Sequence, residues 1–329
     1  MTTPKLTKAQ GDLLNAALVD MASRLRPITV RGLYYQAVIS SALPFIQKDH
    51  DGERTFYRMV QGRVLRLRQA GAIDWDWVVD ESRTSYTRAR WSDPAAFAEI
   101  APLYYDLDLW EGQAVRPLLL VEKAGQVPVY RSHAARHGVD VAACKGYGSA
   151  TYIRGVAMTI GDWLATGQNV QVIVAADFDP SGCDWPRAAW VDVKQHLAAQ
   201  VAPLLGIDLA TGSDFALNDL LSDAGHGQLG WQRELVTAED LEALGPAVAL
   251  RAPNQKDPRT KAWLASNGFS ADQETCVEMD AVSPVEARAR LGRRYLSLFD
   301  GDIQDRLELQ KIHRDAITEA LAGLAGGDL

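Results

Sequence analysis

Cysteine is scarce in this chain. The three present, Cys144, Cys183 and Cys276, are too scattered for a zinc spacing and too few for a disulfide framework. Long apolar runs are missing as well. No stretch of about 18 apolar residues occurs, which argues against a transmembrane helix. The first residues, MTTPKLTKAQGD, lack the apolar core of a signal peptide. Low-complexity tracts, internal repeats and any Gly-rich ATP-binding motif are absent too. Together these absences predict a cytoplasmic globular protein with no membrane partner.

Positive charge is also in deficit. There are 34 Lys+Arg against 42 Asp+Glu, a net charge of −8. Its distribution is uneven. Residues 1–100 hold 14 basic and 11 acidic residues, so the remainder holds 20 and 31. A mildly basic front is joined to an acidic back. An acidic domain still meets DNA where its carboxylates hold metal ions. With 329 residues and 47% hydrophobic content, the chain has room for two domains with real cores.

Residues 7–24 have helical periodicity, with Leu13, Leu14, Ala17, Leu18 and Met21 on one face. Pro27 ends that segment, and Thr29 is placed to cap a second helix through VRGLYYQAVIS. A third helix is expected over Thr55–Gln69, stopping at Gly71. In AIDWDWVVD, Ile73, Trp75 and Trp77 alternate with Asp74 and Asp76, a strand signal. Three helices and a β-ribbon read as a winged helix-turn-helix. The third helix and its lead-in carry Arg54, Arg58, Arg63 and Arg66, suited to phosphates of double-stranded DNA.

A connector follows, and then strands and helices alternate. RPLLLVE, VDVAAC and NVQVIVAAD read as strands, with helices after each, the last over residues 184–204. Such alternation implies a parallel sheet covered on both faces. Residues 285–324 read as a helical tail. In an open parallel sheet the ligand site lies beyond the carboxyl ends of the strands. Glu122 closes one apolar run, and Asp177 closes another, with Asp179 two residues on. Hard oxygen donors gathered at one edge repel one another and are relieved by a divalent cation, most naturally magnesium, as one or two ions. Lys123 beside Glu122 either contacts phosphate or pairs with an acid, and Lys145 in the turn KGYG either approaches phosphate or sits in a strand–helix loop. Glu278 and Asp280 repeat the acid spacing after a short apolar run. They either assist the metal site, cap an edge strand or face solvent.

LLLVEK, CKGYGS and VIVAADFDPSG, in that order, resemble a Toprim domain. The D-x-D-P-x-G form resembles the A subunit of topoisomerase VI and its relative, the meiotic double-strand-break transesterase. In that family an arginine, two residues and a tyrosine pair precede the Toprim domain, and the second tyrosine attacks DNA. Arg31-Gly32-Leu33-Tyr34-Tyr35 matches that pattern, while Tyr104-Tyr105 has no arginine at the matching distance. The resemblance covers residues 25–205. It implies a CAP-like winged helix over 1–95 with Tyr35 as nucleophile and Arg31 as its helper. A connector over 96–115 and a Rossmann-like Toprim domain with a helical extension over 116–329 follow. It implies magnesium held by Glu122, Asp177 and Asp179. It also implies a homodimer in which the tyrosine of one protomer works with the metal site of the other, and a nucleoid-associated location. Strand passage would need an ATPase B-type subunit on another chain.

The expected function is therefore DNA cleavage by tyrosine transesterification, leaving protein on 5′ ends. Two other readings stay open. One is a Toprim nuclease that hydrolyses DNA with metal-activated water. The other is a non-catalytic DNA-binding subunit of a larger complex.

Overall fold

The structure, a computed structural model, describes residues 6–49, 55–79, 89–143, 150–197, 217–234, 236, 241 and 251–325. Helix α1 (Lys8–Leu25) begins at Thr7, whose side chain and that of Gln10 form a reciprocal capping box. Its buried stripe runs Leu14, Leu18, Met21 and Leu25. Strand β1 (Ile28–Thr29) leads into α2 (Val30–Ile39). The Thr29 hydroxyl accepts from the Gly32 amide at 2.9 Å, as its sequence position predicts. Helix α3 spans Thr55–Gln69.

The strand expected from the tryptophan alternation does not form there. Trp75–Trp77 is a 3-10 turn, and only Val78–Val79 (β2) extends, pairing in parallel with β1. The cause is local: the Asp74 carboxylate captures the Asp76 amide at 3.0 Å. Trp75 is exposed and lies against Arg68 rather than a core. The remainder of the expected ribbon lies outside the described residues.

The connector is itself partly helical. Helix α4 (Pro94–Ile100) continues into a 3-10 turn at Ala101–Tyr104, and both pack on the last helix of the chain. Beyond it comes a mixed α/β region. Strands β3 (Val115–Val121), β4 (Asp140–Ala143), β5 (Asn169–Ala175) and β6 (Leu229–Glu234) form a four-stranded parallel sheet ordered β4-β3-β5-β6. Helix α5 (Val127–Ala135) joins β3 to β4, and α6 (Ala150–Ala165) joins β4 to β5. The chain thus leaves β3 for one side and returns on the other. That reversal opens a crevice at the carboxyl ends of β3 and β5. Helix α7 (Pro180–His196) starts earlier than its apolar pattern predicts, because Asp179 caps it and Pro180 fills its first position. Helix α8 (Leu217–Asp223) precedes β6. Strand β6 is a half-exposed edge with little apolar content, so its sequence does not announce it.

Helix α9 (Thr260–Asn267) precedes the tail, which divides into α10 (Pro284–Leu296) and α11 (Ile303–Ala325). Between them Gly301 holds φ +90°.

The sheet buries different residues on its two faces. Leu118, Leu120, Val172 and Val174 pack with α6 and α7. Leu119, Val121, Ile173 and Ala175 join a core that runs without a break into Leu14, Leu18, Leu33 and Tyr35 of the N-terminal helices. Arg288 fastens this junction. Its buried guanidinium donates to the carbonyls of Leu25, Arg26 and Pro27 at 3.1–3.3 Å, and to Val129 at 3.3 Å. The carbonyls of Leu25, Arg26 and Pro27 lie at and just past the end of α1, where the last helical carbonyls have no partner within the helix. Among the described residues no helix is long and apolar enough to cross a membrane.

Candidate functional site

The crevice gathers the acids that the strand ends predict. The Glu122 amide donates to Ala175 O at 2.9 Å, extending the β3–β5 ladder by one bond. The Asp177 amide then donates to Glu122 Oε2 at 3.2 Å. Asp177 and Asp179 lie just beyond β5, and both are buried. Between them Phe178 pairs with Val277 in an antiparallel bridge. Side chains alternate across such a pairing, so Glu278 comes to the same side as Asp177 and Asp179. Gly182 permits this approach. A Cβ there would sit 2.2 Å from the Asp177 carbonyl oxygen, and only glycine avoids that.

Cations thread between the acids. Lys123 Nζ lies 2.6 Å from Asp177 Oδ2 and 2.8 Å from Glu278 Oε2. Arg251 pairs with Asp179, which also caps α7 through the Gly182 amide at 2.6 Å. Asp280 accepts from Gln126 and, at 3.0 Å, from the Thr29 hydroxyl. Burial pushes the Asp177 carboxyl upward, and Glu278 and Glu122 add to that, while Lys123 opposes it. Burial likewise raises Glu122 and Asp280. Burial would raise Glu278 too, but Lys123, Arg31 and Arg251 outweigh it and hold its carboxyl down, to about 2. The same contacts overcome desolvation at Lys123 and keep it protonated.

Arg31 brings the N-terminal helices into this network. Its Nη2 donates to Glu278 Oε2 at 3.1 Å and to the Tyr35 hydroxyl at 3.3 Å, and its Nε lies 3.5 Å from Asp280 Oδ2. Arg31 and Tyr35 are four apart on α2, so they share a face. Tyr35 is 5% exposed. Burial raises its hydroxyl pKa, Glu278 raises it further, and Arg31 draws it back. Tyr34 packs in the core and accepts from the Asp49 amide at 2.7 Å, as expected of a structural tyrosine. The Tyr105 hydroxyl bonds to His313, and Tyr104 is exposed. Neither is joined to the acids by a hydrogen bond among the described residues.

The predicted DNA-contacting residues divide. Arg58 and Arg66 stand exposed on α3. Arg63 is turned inward instead, donating to Gly11 O at 3.1 Å and Asn15 Oδ1 at 2.8 Å, so it joins α3 to α1 rather than facing solvent. Lys123 is engaged by the acids. Arg54 and Lys145 lie outside the described residues. Sequence reasoning missed Arg251 and Gln126, which stand in no motif. Glu278 and Asp280 did carry a signal, their alternate spacing.

The oxygen donors at this edge have the hardness magnesium requires. Burial, more than the neighbouring acids, raises the Glu122 and Asp177 carboxyls. Among the described residues, however, no group of three or more His, Cys, Asp or Glu is arranged to hold a metal, and Lys123 and Arg251 stand between the acids. The donor chemistry fits the ion, with the cations of the chain holding those oxygens. No protein-family model, curated protein or solved structure matches this chain.

Proposed function

We propose that this chain is a magnesium-dependent DNA transesterase of the topoisomerase VI A type, with a winged helix ahead of a Toprim fold. The observation that carries this reading is the link between tyrosine and acids: Arg31 donates both to the Tyr35 hydroxyl and to Glu278. The Tyr35 oxygen attacks a phosphorus of one strand of duplex DNA. A tyrosine O–P bond forms as the bond from phosphorus to the 3′ oxygen breaks. The tyrosine proton passes to solvent, and the departing 3′ oxygen takes up one, so the step neither consumes water nor needs ATP. Running it backwards reseals the strand.

Arg31 neutralises charge on the phosphoryl oxygens. Glu122, Asp177 and Asp179 would hold magnesium, with Lys123 and Arg251 releasing their oxygens. The bound ion supplies further positive charge to the transferring group. The exposed Arg58 and Arg66 grip flanking phosphates. Breaking both strands takes two copies of the chain, and coupled strand transport takes an ATPase on another chain.

The test is supercoiled plasmid incubated with magnesium and stopped with denaturant. Wild type is expected to leave protein covalently attached to 5′ ends, and Tyr35→Phe to leave none. The burial of Tyr35 favours one second reading, a Toprim nuclease in which this side chain only packs. Equal cleavage by both proteins with free 5′-phosphates would select it.

A further inference from the structure

We infer that the outer face of α3 enters the major groove of duplex DNA and reads A·T base pairs there, with Gly62 at the closest approach. This rests on the DNA-cleaving reading above and adds a sequence preference to it. Helix α3 buries Val60 and Val64 on one side. At about 100° per residue, the other side carries Arg58, Gln61, Gly62, Leu65, Arg66 and Gln69. All but Gly62 are exposed. Glycine is a poor residue for a helix interior. Gly62 has helical backbone, so no left-handed φ calls for it. Packing does not call for it either, since a Cβ there would meet nothing within 4 Å. At Gly32 in α2, by contrast, a Cβ would lie 2.8 Å from Ile28. What the missing side chain at position 62 supplies is depth: the main chain of α3 comes nearer to whatever lies against this face.

Charge names the occupant. Arg58 and Arg66 stand one turn before and one turn after Gly62, and α3 holds no acidic residue. Such a face suits a polyanion. A helix about 10–12 Å across fits the major groove of B-DNA, which is about 12 Å wide. The amides of Gln61 and Gln69 are of the kind that pairs in bidentate fashion with adenine. Leu65, 48% exposed, offers an apolar contact to the thymine methyl. The two glutamines are separated by about 12 Å along the helix axis, or about three to four base-pair steps. The same face runs on toward the candidate site. Gln61 also lines a cleft of about 380 Å³ that includes Thr29 and Arg31. Duplex seated on α3 is thereby led toward the arginine end of α2, and the bases that α3 reads flank the cut.

Selection from a random pool tests this. The full chain is incubated without magnesium with duplexes of random sequence, and the bound fraction is sequenced. Enrichment of A·T pairs within a window of about three to four positions is expected, and Gln61→Ala should weaken the preference at one of them about tenfold. Gly62→Ala separates recognition from folding. It should raise the urea midpoint, because alanine favours a helix, yet weaken duplex binding about tenfold, because the methyl group fills the approach. Duplex RNA of the selected sequence should bind poorly, since its major groove is too narrow for a helix. A pool bound without preference, undiminished binding by Gly62→Ala, or equal binding of the duplex RNA would each overturn the inference. The transesterase reading is judged apart from these results, by the Tyr35-dependent adduct: an adduct with a flat pool keeps that reading and discards this one, and selection without an adduct does the reverse.

Discussion

At the sheet edge, Asp177, Asp179 and Asp280 are buried, and each is met by a cation or a hydrogen-bond donor from another element. On α3 the opposite holds: Arg58 and Arg66 stand exposed to solvent. Both regions concentrate charge of one sign. The buried set is fixed by topology, since the strand reversal between β3 and β5 and the Phe178–Val277 bridge deliver the acids to one crevice. The exposed set is fixed only by helical spacing. Charge held in a low-dielectric setting is tied to its partners, whereas charge on a helix surface stays available for a ligand.

The most disruptive way to probe this contrast is Lys123→Met, which leaves Asp177 and Glu278 short of a buried counter-charge. We expect a loss of about 3 kcal/mol in urea unfolding. A loss below about 1 kcal/mol would mean the acids are better hydrated than their burial implies. Gly182→Ala strikes the same edge through sterics. The added carbon meets the Asp177 carbonyl, and about 1–3 kcal/mol should be lost, with lower covalent-adduct yield.

Arginines on α3 sharpen the contrast. Arg63→Ala removes hydrogen bonds to α1 and should lower stability by about 1–2 kcal/mol without changing the salt dependence of DNA binding. Arg66→Ala should do the reverse. Stability should move by no more than about 0.5 kcal/mol, while the log–log salt slope falls by about 1. Equal salt slopes for both variants would break the distinction between them.

A pH dependence is also expected away from the site, at His133. Burial, then the neighbouring His137 and Arg136, push the His133 imidazole down to about 4. The folded chain keeps it neutral, while the unfolded chain protonates it below about 6.5. Its contribution is therefore full above that pH and declines as pH falls toward about 4. His133→Gln should flatten the stability profile across that window. An unchanged profile would assign the slope to other groups.

Much of this arrangement is legible in the residues themselves. Thr29 caps α2, Thr55–Gln69 forms a helix, and Glu122 and Asp177 close neighbouring parallel strands, each as periodicity and apolar runs predict. Three features escape that reasoning. The tryptophan alternation fails because Asp74 captures a nearby amide. Strand β6 is an edge without an apolar run. Arg251 belongs to no motif and reaches Asp179 only through folding.

Helical and strand periods and capping chemistry act over a few residues, so they set the local elements and put the acids at strand ends. Which acid meets which cation comes from long-range packing. The Phe178–Val277 bridge brings Glu278 beside Asp177 across about a hundred residues of chain, and with it Arg31 and Tyr35. No local propensity encodes such a pairing. It follows from the strand order and from the need of buried carboxylates for cations, whichever element supplies them.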